Sequence, residues 1–439
     1  MSDGLFQPDH WKAALSAVET ARAYGQVRRV SPTHIEADGP LGTLGATCLI
    51  GGSLMAEIST VDTTGVTLMP YGAVDGVRVC DRVELAGSGA QVDTGDRLLG
   101  RVVDALGRPL DGQPLMLDGA PTWPLAGRPT SPLDRVTPTQ ALETGVRAID
   151  SLLTLGRGQR VGIFAGSGVG KSTLLSSLCR HIRADVIVLC LVGERGREAQ
   201  DFWSGALDDT SRKRAVMVVS TSDEPAVMRA RGVHAALAHA EYFRSLGRHV
   251  VLLVDSMTRY AQALREIGLA SGEPPSIRAY TPSVFAALPR VVERCGALAS
   301  SGATTSIMTV LTETDDVDDP MAESLRALLD GHIVLSRTLA EQGHFPAIDV
   351  PRSVSRVFRQ VNEPSVRALA TEAVAQLSNY EMSRTLVESG LYAAGTQPAL
   401  DKALACRPAL IDFLRQDSMT ATGMTEDRAT LEAAIGDGA

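Results

Sequence analysis

The fold of this chain is decided by the stretch Arg160-Val161-Gly162-Ile163-Phe164-Ala165-Gly166-Ser167-Gly168-Val169-Gly170-Lys171-Ser172-Thr173. A short, mainly apolar strand leads into a glycine-rich turn, and Lys-Ser-Thr then opens a helix. We expect Gly166, Gly168 and Gly170 to take positive φ, so that backbone N–H groups of the turn face an anion. The helix that follows presents its N-terminus to the same anion. The stretch therefore predicts a phosphate-binding loop.

Within this loop, two side chains are expected to have separate roles in nucleotide binding. Lys171 is placed to reach the β- and γ-phosphates of a nucleoside triphosphate, and the Ser172 hydroxyl is placed to ligate Mg²⁺. Ala165 departs from the usual pattern, which begins with glycine, but a strand end supplies the negative φ that alanine needs. The predicted phosphate-binding set is contiguous and comprises Gly166, Ser167, Gly168, Val169, Gly170, Lys171, Ser172 and Thr173.

The composition limits the class of protein. A chain of 439 residues predicts two or three domains, and 44% hydrophobic residues suffice for their cores. A net charge of −9 argues against a nucleic-acid-binding body, because neutralising phosphates needs a basic surface. Six scattered cysteines without a CxxC pair predict reduced thiols. With no signal-peptide pattern and no apolar run near the ~18–20 residues that span a bilayer, we expect a cytoplasmic protein with at most a peripheral membrane role.

The chain divides into four segments that differ in composition and in the spacing of their apolar residues. Residues 1–24 carry apolar side chains at helical spacing, typical of a docking helix for a partner or membrane surface, or of a terminal helix packed on its own domain. Residues 25–92 hold short β-rich pieces between Gly, Pro and Asp turns, which predict a small β-barrel or sandwich. Residues 93–365 alternate strands with helices, and residues 366–439 predict a helical domain with helices at 366–377, 383–389, 398–417 and 426–435.

The middle segment predicts a mostly parallel sheet with helices on both faces. A long helix is expected to begin near Pro225 and to stop at Gly247. In such a sheet, ligands bind at the carboxyl ends of the strands. The predicted buried strands cover residues 161–165, 186–192, 215–220, 250–254 and 306–311.

Two acidic residues follow predicted strands and are expected at the edge that carries the phosphate loop. Asp255 is interpreted as a Mg²⁺ ligand alongside Ser172. Glu194 is the candidate that orients and deprotonates the attacking water. Arg195 is expected to brace this loop by ion pairing.

Other residues are weaker candidates. Phe345, which precedes a proline, and Tyr392 are aromatic candidates for stacking on a nucleotide base, in a chain with only 4% aromatic residues. The acidic run at 312–320 resembles a metal site in composition, but it is better explained by Asp319 capping a helix that begins at Pro320.

Over about residues 25–415, the motifs resemble those of the rotary-type ATPases related to the F-type ATP synthase catalytic subunit. Within that group, residues 272–275, 282–294 and 330–337 resemble the ATPases of type III protein export, and the injecting branch more than the flagellar one. The segments that carry the wider resemblance are the phosphate loop, Thr144-Gly145-Val146-Arg147-Ala148-Ile149-Asp150, Gly193-Glu194-Arg195, Leu253-Val254-Asp255-Ser256-Met257-Thr258-Arg259 and Ser353-Val354-Ser355-Arg356.

The resemblance implies an α/β fold with a RecA-like P-loop NTPase core, an N-terminal β-barrel that serves oligomerisation and a C-terminal helical domain. It implies a homohexamer with ATP and Mg²⁺ at subunit interfaces. The implied catalytic residues are Lys171, Glu194 as the base, Arg195, and Arg356 acting in trans. The implied partners are export chaperone–substrate complexes, stator or regulator and central stalk proteins, and a membrane export gate, with no nucleic acid.

Two segments depart from the family pattern, and both lie outside the phosphate site. Ala279-Tyr280-Thr281-Pro282 stands where Gly-Tyr-Pro-Pro is usual, and residues 321–326 replace a usual Asp-Glu-Val-Arg pattern. Three alternatives remain open. A flagellar export ATPase has the same motifs, a non-hydrolysing ring subunit is disfavoured by Glu194, and a ring helicase or termination factor is disfavoured by the acidic charge.

Overall fold

The computed structural model of the chain describes residues 23–312 and 319–436. The helix predicted near the N-terminus lies outside the described residues, as do residues 313–318 of the acidic run at 312–320. The chain forms two compact units, which divide between Ala90 and Gln91. In the described ranges, no helix is both long enough and apolar enough to cross a bilayer.

The first unit is a closed antiparallel barrel with the strand order β1-β2-β5-β4-β3-β6. Its interior is filled by Ile35, Ile50, Ile58, Leu68 and Val83, all buried. The longer strands alternate buried and more exposed residues, and closure of the sheet puts their apolar faces inside the barrel. The strands are β1 (Tyr24–Val30), β2 (Ile35–Ala37), β3 (Thr47–Ile50), β4 (Leu54–Asp62), β5 (Gly65–Pro70) and β6 (Arg82–Gly87).

The second unit is built on a ten-stranded sheet whose main order is β20-β19-β13-β18-β16-β14-β15-β8. Seven of these strands run parallel, and β20 runs antiparallel at one edge. All five strands expected from the sequence are present. The strands are β7 (Gln91–Asp93), β8 (Arg101–Val103), β9 (Thr122–Pro124), β10 (Arg135–Val136), β11 (Ala141–Leu142), β12 (Leu155–Gly156), β13 (Arg160–Ala165), β14 (Val186–Glu194), β15 (Ala215–Thr221), β16 (His249–Asp255), β17 (Gly296–Leu298), β18 (Ala303–Leu311), β19 (Gly331–Leu335) and β20 (Ile348–Ser355).

Helices cover both faces of this sheet, so its central strands are apolar on both sides. In β14, Leu189 and Leu191 point into one core while Val188 and Cys190 point into the other. The helices are α1 (Arg147–Leu152), α2 (Lys171–His181), α3 (Gly196–Asp201), α4 (Asp209–Lys213), α5 (Ala226–Ser245), α6 (Met257–Ala270), α7 (Pro282–Glu293), α8 (Pro320–Leu328), α9 (Arg337–Glu341), α10 (Phe358–Val361), α11 (Pro364–Glu388), α12 (Pro398–Leu414) and α13 (Met424–Gly436).

The helix ends follow their predicted signals. Helix α5 begins directly after Pro225, and Gly247 takes a φ of +80° two residues beyond its end. The Asp319 carboxylate accepts a hydrogen bond from the Met321 N–H at 3.0 Å, which confirms its interpretation as the cap of α8.

The C-terminal helices pack on the core that contains the phosphate-loop helix. Cys406, Leu410 and Phe413 of α12 belong to the same apolar cluster as Leu174 and Ile149. The sequence pattern predicted two helices at 366–377 and 383–389, but the structure has the single helix α11. Because no glycine or proline interrupts this stretch and Tyr380 packs against α12, the helix continues.

Candidate nucleotide-binding and hydrolysis site

The glycine-rich turn connects the end of β13 to the first residue of α2. Gly168 and Gly170 have φ of +78° and +87°, a region that strongly favours glycine. The expectation of a positive φ at Gly166 is wrong, because Gly166, directly after the end of β13 at Ala165, is not among the glycines with positive φ. A Cβ at Gly170 would also make a tight contact, at 3.3 Å, with ring carbons of Phe345.

The structure brings Lys171, Glu194 and Asp255 together. Strands β14 and β16 are parallel and pair Leu191 with Asp255, so both carboxylates lie at the carboxyl edge beside the loop. The Lys171 ammonium donates to Asp255 Oδ1 and lies 3.6 Å from Glu194 Oε1. Thr309 donates to the same Asp255 oxygen at 2.7 Å, which fixes this carboxylate. All three charged side chains are at least four-fifths buried.

Burial changes the protonation of Glu194. Removal from water, and secondly the negative charge of Asp255, raise the pKa of this carboxyl to about 7, while the Lys171 ammonium opposes the rise. A carboxylate with a pKa near neutrality combines the ionised form with useful basicity. A raised pKa at Glu194 is thus compatible with the predicted role of this residue as the base.

The donor set fits Mg²⁺ bound together with a nucleotide. Ser172 offers a hydroxyl in the first turn of α2, and Asp255 offers a carboxylate that already faces a cation. Within residues 23–312 and 319–436, no group of three or more His, Cys, Asp or Glu side chains forms a metal cage. Mg²⁺ in such sites takes one or two protein oxygens, and phosphates and water complete its shell. When bound, the ion would neutralise charge on the phosphates.

A cavity of about 950 Å³ opens at this edge of the sheet. Its lining carries six cationic and three acidic side chains, an excess that suits a polyphosphate. The sequence alone did not single out Arg259, Arg265, Arg278 or Arg337 as site residues. For Arg259 and Arg337 a signal existed, because both closely follow the carboxyl ends of parallel strands. The cations are Lys171, Arg195, Arg259, Arg265, Arg278 and Arg337, and the acids are Glu194, Glu198 and Asp319.

A second, smaller cavity of about 290 Å³ lies on the other side of the loop, and its surface is mainly apolar. Phe345 lines this cavity, as the base-stacking hypothesis requires. Tyr392 does not line it: its hydroxyl donates to Asp401 at 2.9 Å, and its ring packs with Tyr380 and Leu400 among the C-terminal helices. The cavity is lined by Val146, Gly170, Thr173, Leu174, Ser177, Phe345, Pro346, Gln416, Asp417 and Ser418.

The two remaining arginines differ in position. Arg195 is exposed at the rim of the larger cavity and lies 3.8 Å from Glu198, an arrangement that suits loop bracing. Arg356 follows β20, which runs antiparallel to β19, so it lies at the sheet edge opposite the phosphate loop. There its guanidinium donates to the Arg326 carbonyl at 3.4 Å. The structure does not bring Arg356 to the site of its own chain.

The departure at Ala279 has a structural cost, because Ala279 has a φ of +60°. Glycine takes this conformation without the Cβ clash, although it loses more backbone entropy on folding. We expect Ala279→Gly to stabilise the protein by about 0.5–1 kcal/mol, measured as a higher urea midpoint at unchanged slope. The control is Ala286→Gly in the exposed face of α7, expected to destabilise by about 1 kcal/mol. Equal destabilisation by both changes would contradict the proposed strain.

A glycine-rich loop at the carboxyl edge of a parallel sheet, with Lys171 and two strand-end carboxylates, defines a P-loop nucleotide-binding protein. The family model of the ATP synthase alpha/beta family, nucleotide-binding domain, matches residues 145–355 of the sequence. That of the T3SS EscN ATPase C-terminal domain matches residues 363–433. The chain belongs to the family of flagellar and type III secretion ATPases. It is therefore an ATP-hydrolysing enzyme of this family.

Relatives from both branches match over most of their length. The flagellum-specific ATP synthase of Salmonella typhimurium is 45% identical and covers 93% of this chain and 92% of its own. The type 3 secretion system ATPase of Pseudomonas syringae pv. tomato is 42% identical and covers 93% and 94%. The assembled ATPase EscN of the enteropathogenic E. coli type III secretion system superposes with a TM-score of 0.89 at 41% identity and covers 94% and 100%. The expected family and architecture are confirmed.

Proposed function

We propose that this chain hydrolyses ATP at the interfaces of a homohexameric ring, and that hydrolysis drives chaperone release, unfolding and export of proteins through a type III secretion system. The observation that carries the proposal is the buried Lys171–Glu194–Asp255 cluster, of which Lys171 and Glu194 line a cationic cavity. This cluster combines a phosphate ligand, a general base and a metal ligand at one sheet edge.

In this mechanism, the loop N–H groups bind the phosphates, and Phe345 contacts the base. Lys171 exchanges its contact with Asp255 for the β- and γ-phosphates. Asp255 and Ser172 would hold Mg²⁺ when it is bound, and the ion would neutralise charge on the phosphates. Glu194 orients a water molecule in line with the γ-phosphorus and accepts its proton as the O–P bond forms. The bond to the ADP oxygen breaks, and ADP and phosphate leave.

The ring is proposed because Arg356, for which the family resemblance implies a role in trans, does not lie at the site of its own chain. Arg356 lies exposed at the opposite edge of the sheet, where a neighbouring subunit is required for it to meet a phosphate loop. EscN has been solved as an assembled ATPase and in complex with its central stalk EscO. We propose a central stalk partner here as well, with the barrel serving oligomerisation.

The remaining partners follow from the family. We propose export chaperone–substrate complexes, a stator or regulator and the membrane export gate, with the ring on the cytoplasmic face of the membrane. Nucleic acid is not a proposed partner. Flagellar protein export is the second candidate, because a flagellar relative is as similar as the secretion relatives, at 45% against 42–44% identity. Restoration of motility, rather than of effector secretion, in a strain lacking the native gene would favour that candidate.

The core of the proposal is tested by ATP hydrolysis of the purified full chain with and without Mg²⁺. We expect turnover that requires the ion and that falls by at least about 10²-fold in Lys171→Ala, because the phosphate charge loses its ligand. Lys213→Ala is the control, since Lys213 is exposed at the end of α4, away from both cavities. Turnover that survives in Lys171→Ala would overturn the assigned site.

A further inference from the structure

The smaller cavity is built from three segments that lie far apart in the sequence. Val146 comes from the loop before α1, Phe345 and Pro346 come from the connection between α9 and β20, and Gln416 follows α12. The phosphate loop and α2 form its floor. This largely apolar slot suits an aromatic heterocycle, provided that the three walls keep their spacing.

Gln416, on the third wall, hydrogen-bonds to the other two. Its side-chain Nε2 donates to the Gly145 carbonyl at 2.7 Å, and its Oε1 accepts from the Arg147 N–H at 2.8 Å. Its backbone N–H donates to the Phe345 carbonyl at 2.9 Å. Both ends of one amide therefore bind the backbone of the first wall, while the main chain of the same residue binds the second.

The segment that carries Gln416 is itself held in a closed turn. Gln416 Nε2 also donates to the Thr420 carbonyl at 2.9 Å, and the Asp417 carboxylate accepts from the Met419 N–H at 2.7 Å. Next to it, the Arg147 guanidinium donates to the Phe413 carbonyl at 3.1 Å and pairs with Asp427 at 3.4 Å. The position of the amide is thus set by the C-terminal helices, which have their own apolar core against α1 and α2.

We propose that Gln416 is a positioning residue for the nucleotide base. It ties the C-terminal helical region to the loop at 144–147 and to Phe345, and so keeps the base slot open at the correct width. This inference rests on the proposed function, because it takes the slot as the base half of the ATP site. It assigns to the C-terminal region a part in nucleotide affinity, separate from the phosphate chemistry at Lys171 and Glu194.

Binding of two different ligands distinguishes this positioning role from a general loss of structure at the site. ADP carries a base, whereas pyrophosphate fills only the phosphate half of the site. With Mg²⁺ present, we expect calorimetry to show ADP binding about three- to tenfold weaker in Gln416→Ala, because two hydrogen bonds that fix the walls are lost. Pyrophosphate affinity is expected to stay within about twofold of wild type, and the KM for ATP to rise at nearly unchanged kcat.

Gln416→Glu keeps the acceptor for the Arg147 N–H but presents a second acceptor to the Gly145 carbonyl. It is expected to weaken ADP binding in the same way, and it tests the proposal if Gln416→Ala fails to fold. Gln397→Ala is the matched control, because Gln397 is an exposed glutamine directly before the same helix α12. Its ADP and pyrophosphate affinities are expected to equal those of wild type.

Equal weakening of ADP and pyrophosphate would overturn the proposal, because it would indicate a general structural role. Unchanged ADP affinity in both Gln416 variants would overturn it as well. Failure of the wild-type chain to hydrolyse ATP would instead count against the proposed function, since the calorimetric comparison needs no turnover. The two conclusions can therefore fail separately.

Discussion

Replacement of Glu194 by glutamine is expected to lower kcat for ATP hydrolysis by about 10²–10⁴-fold while nucleotide binding persists. Glutamine has nearly the same shape as glutamate but cannot accept the proton of the attacking water. The phosphate loop, Lys171 and Asp255 all remain in place. The measurement is steady-state phosphate release, with ADP affinity measured on the same preparation.

The pH dependence gives this prediction a second readout. In the free enzyme, burial and Asp255 raise the pKa of Glu194 to about 7, so the ionised base is lost as pH falls through neutrality. We expect kcat/KM of the wild type to decrease below about pH 7, since this parameter reports ionisations of the free enzyme. The residual kcat/KM of Glu194→Gln should not show that decrease below about pH 7. Ionisation of the nucleotide affects both profiles equally, so their difference isolates Glu194.

Loss of structure would not explain such a result. The folded-state pKa of Glu194 is raised, so the folded state binds more protons than the unfolded chain between about pH 4 and pH 7. The free energy of unfolding therefore falls as pH rises through that window. Above it, Glu194→Gln should be at least as stable as wild type. Glu381→Gln, an exposed carboxylate on α11, is the activity control. Near-normal turnover in Glu194→Gln would contradict the assignment of Glu194 as the general base.

Replacement of Arg356 by alanine is expected to reduce turnover by about 10³–10⁵-fold if the arginine stabilises the transition state of a neighbouring site. Arg356 lies at the edge of the sheet opposite its own phosphate loop, so its loss should leave nucleotide binding within one chain unchanged. Arg352→Ala is the matched control, because it removes an exposed arginine of β20, four residues before Arg356.

Mixed rings test whether Arg356 acts between subunits. An Arg356→Ala subunit retains Glu194, and a Glu194→Gln subunit retains Arg356, so one kind of mixed interface is complete. With random assembly from equal amounts, about a quarter of interfaces should be complete, and activity should return in proportion. Absence of any rescue in rings shown to contain both variants would argue against a shared site.

The sequence predicted the phosphate loop and its two carboxylates because each depends on a short-range pattern and one topological rule. A strand, three glycines and a helix start fix the loop locally. Glu194 and Asp255 each end a buried strand, and parallel strands bring their carboxyl ends to one edge. The prediction that Gly166 takes positive φ was wrong, since only Gly168 and Gly170 of the three loop glycines do so.

Only the tertiary structure decided which distant residues complete the site. The edge at which Arg356 lies depends on the antiparallel direction of β20, which no local pattern encodes. Phe345 reaches the loop and Tyr392 does not, because Tyr392 is held among the C-terminal helices. Gln416 carries no recognisable motif. Its position follows from burial of α12 against the phosphate-loop helix, since long-range packing, rather than residue order, brings these segments together.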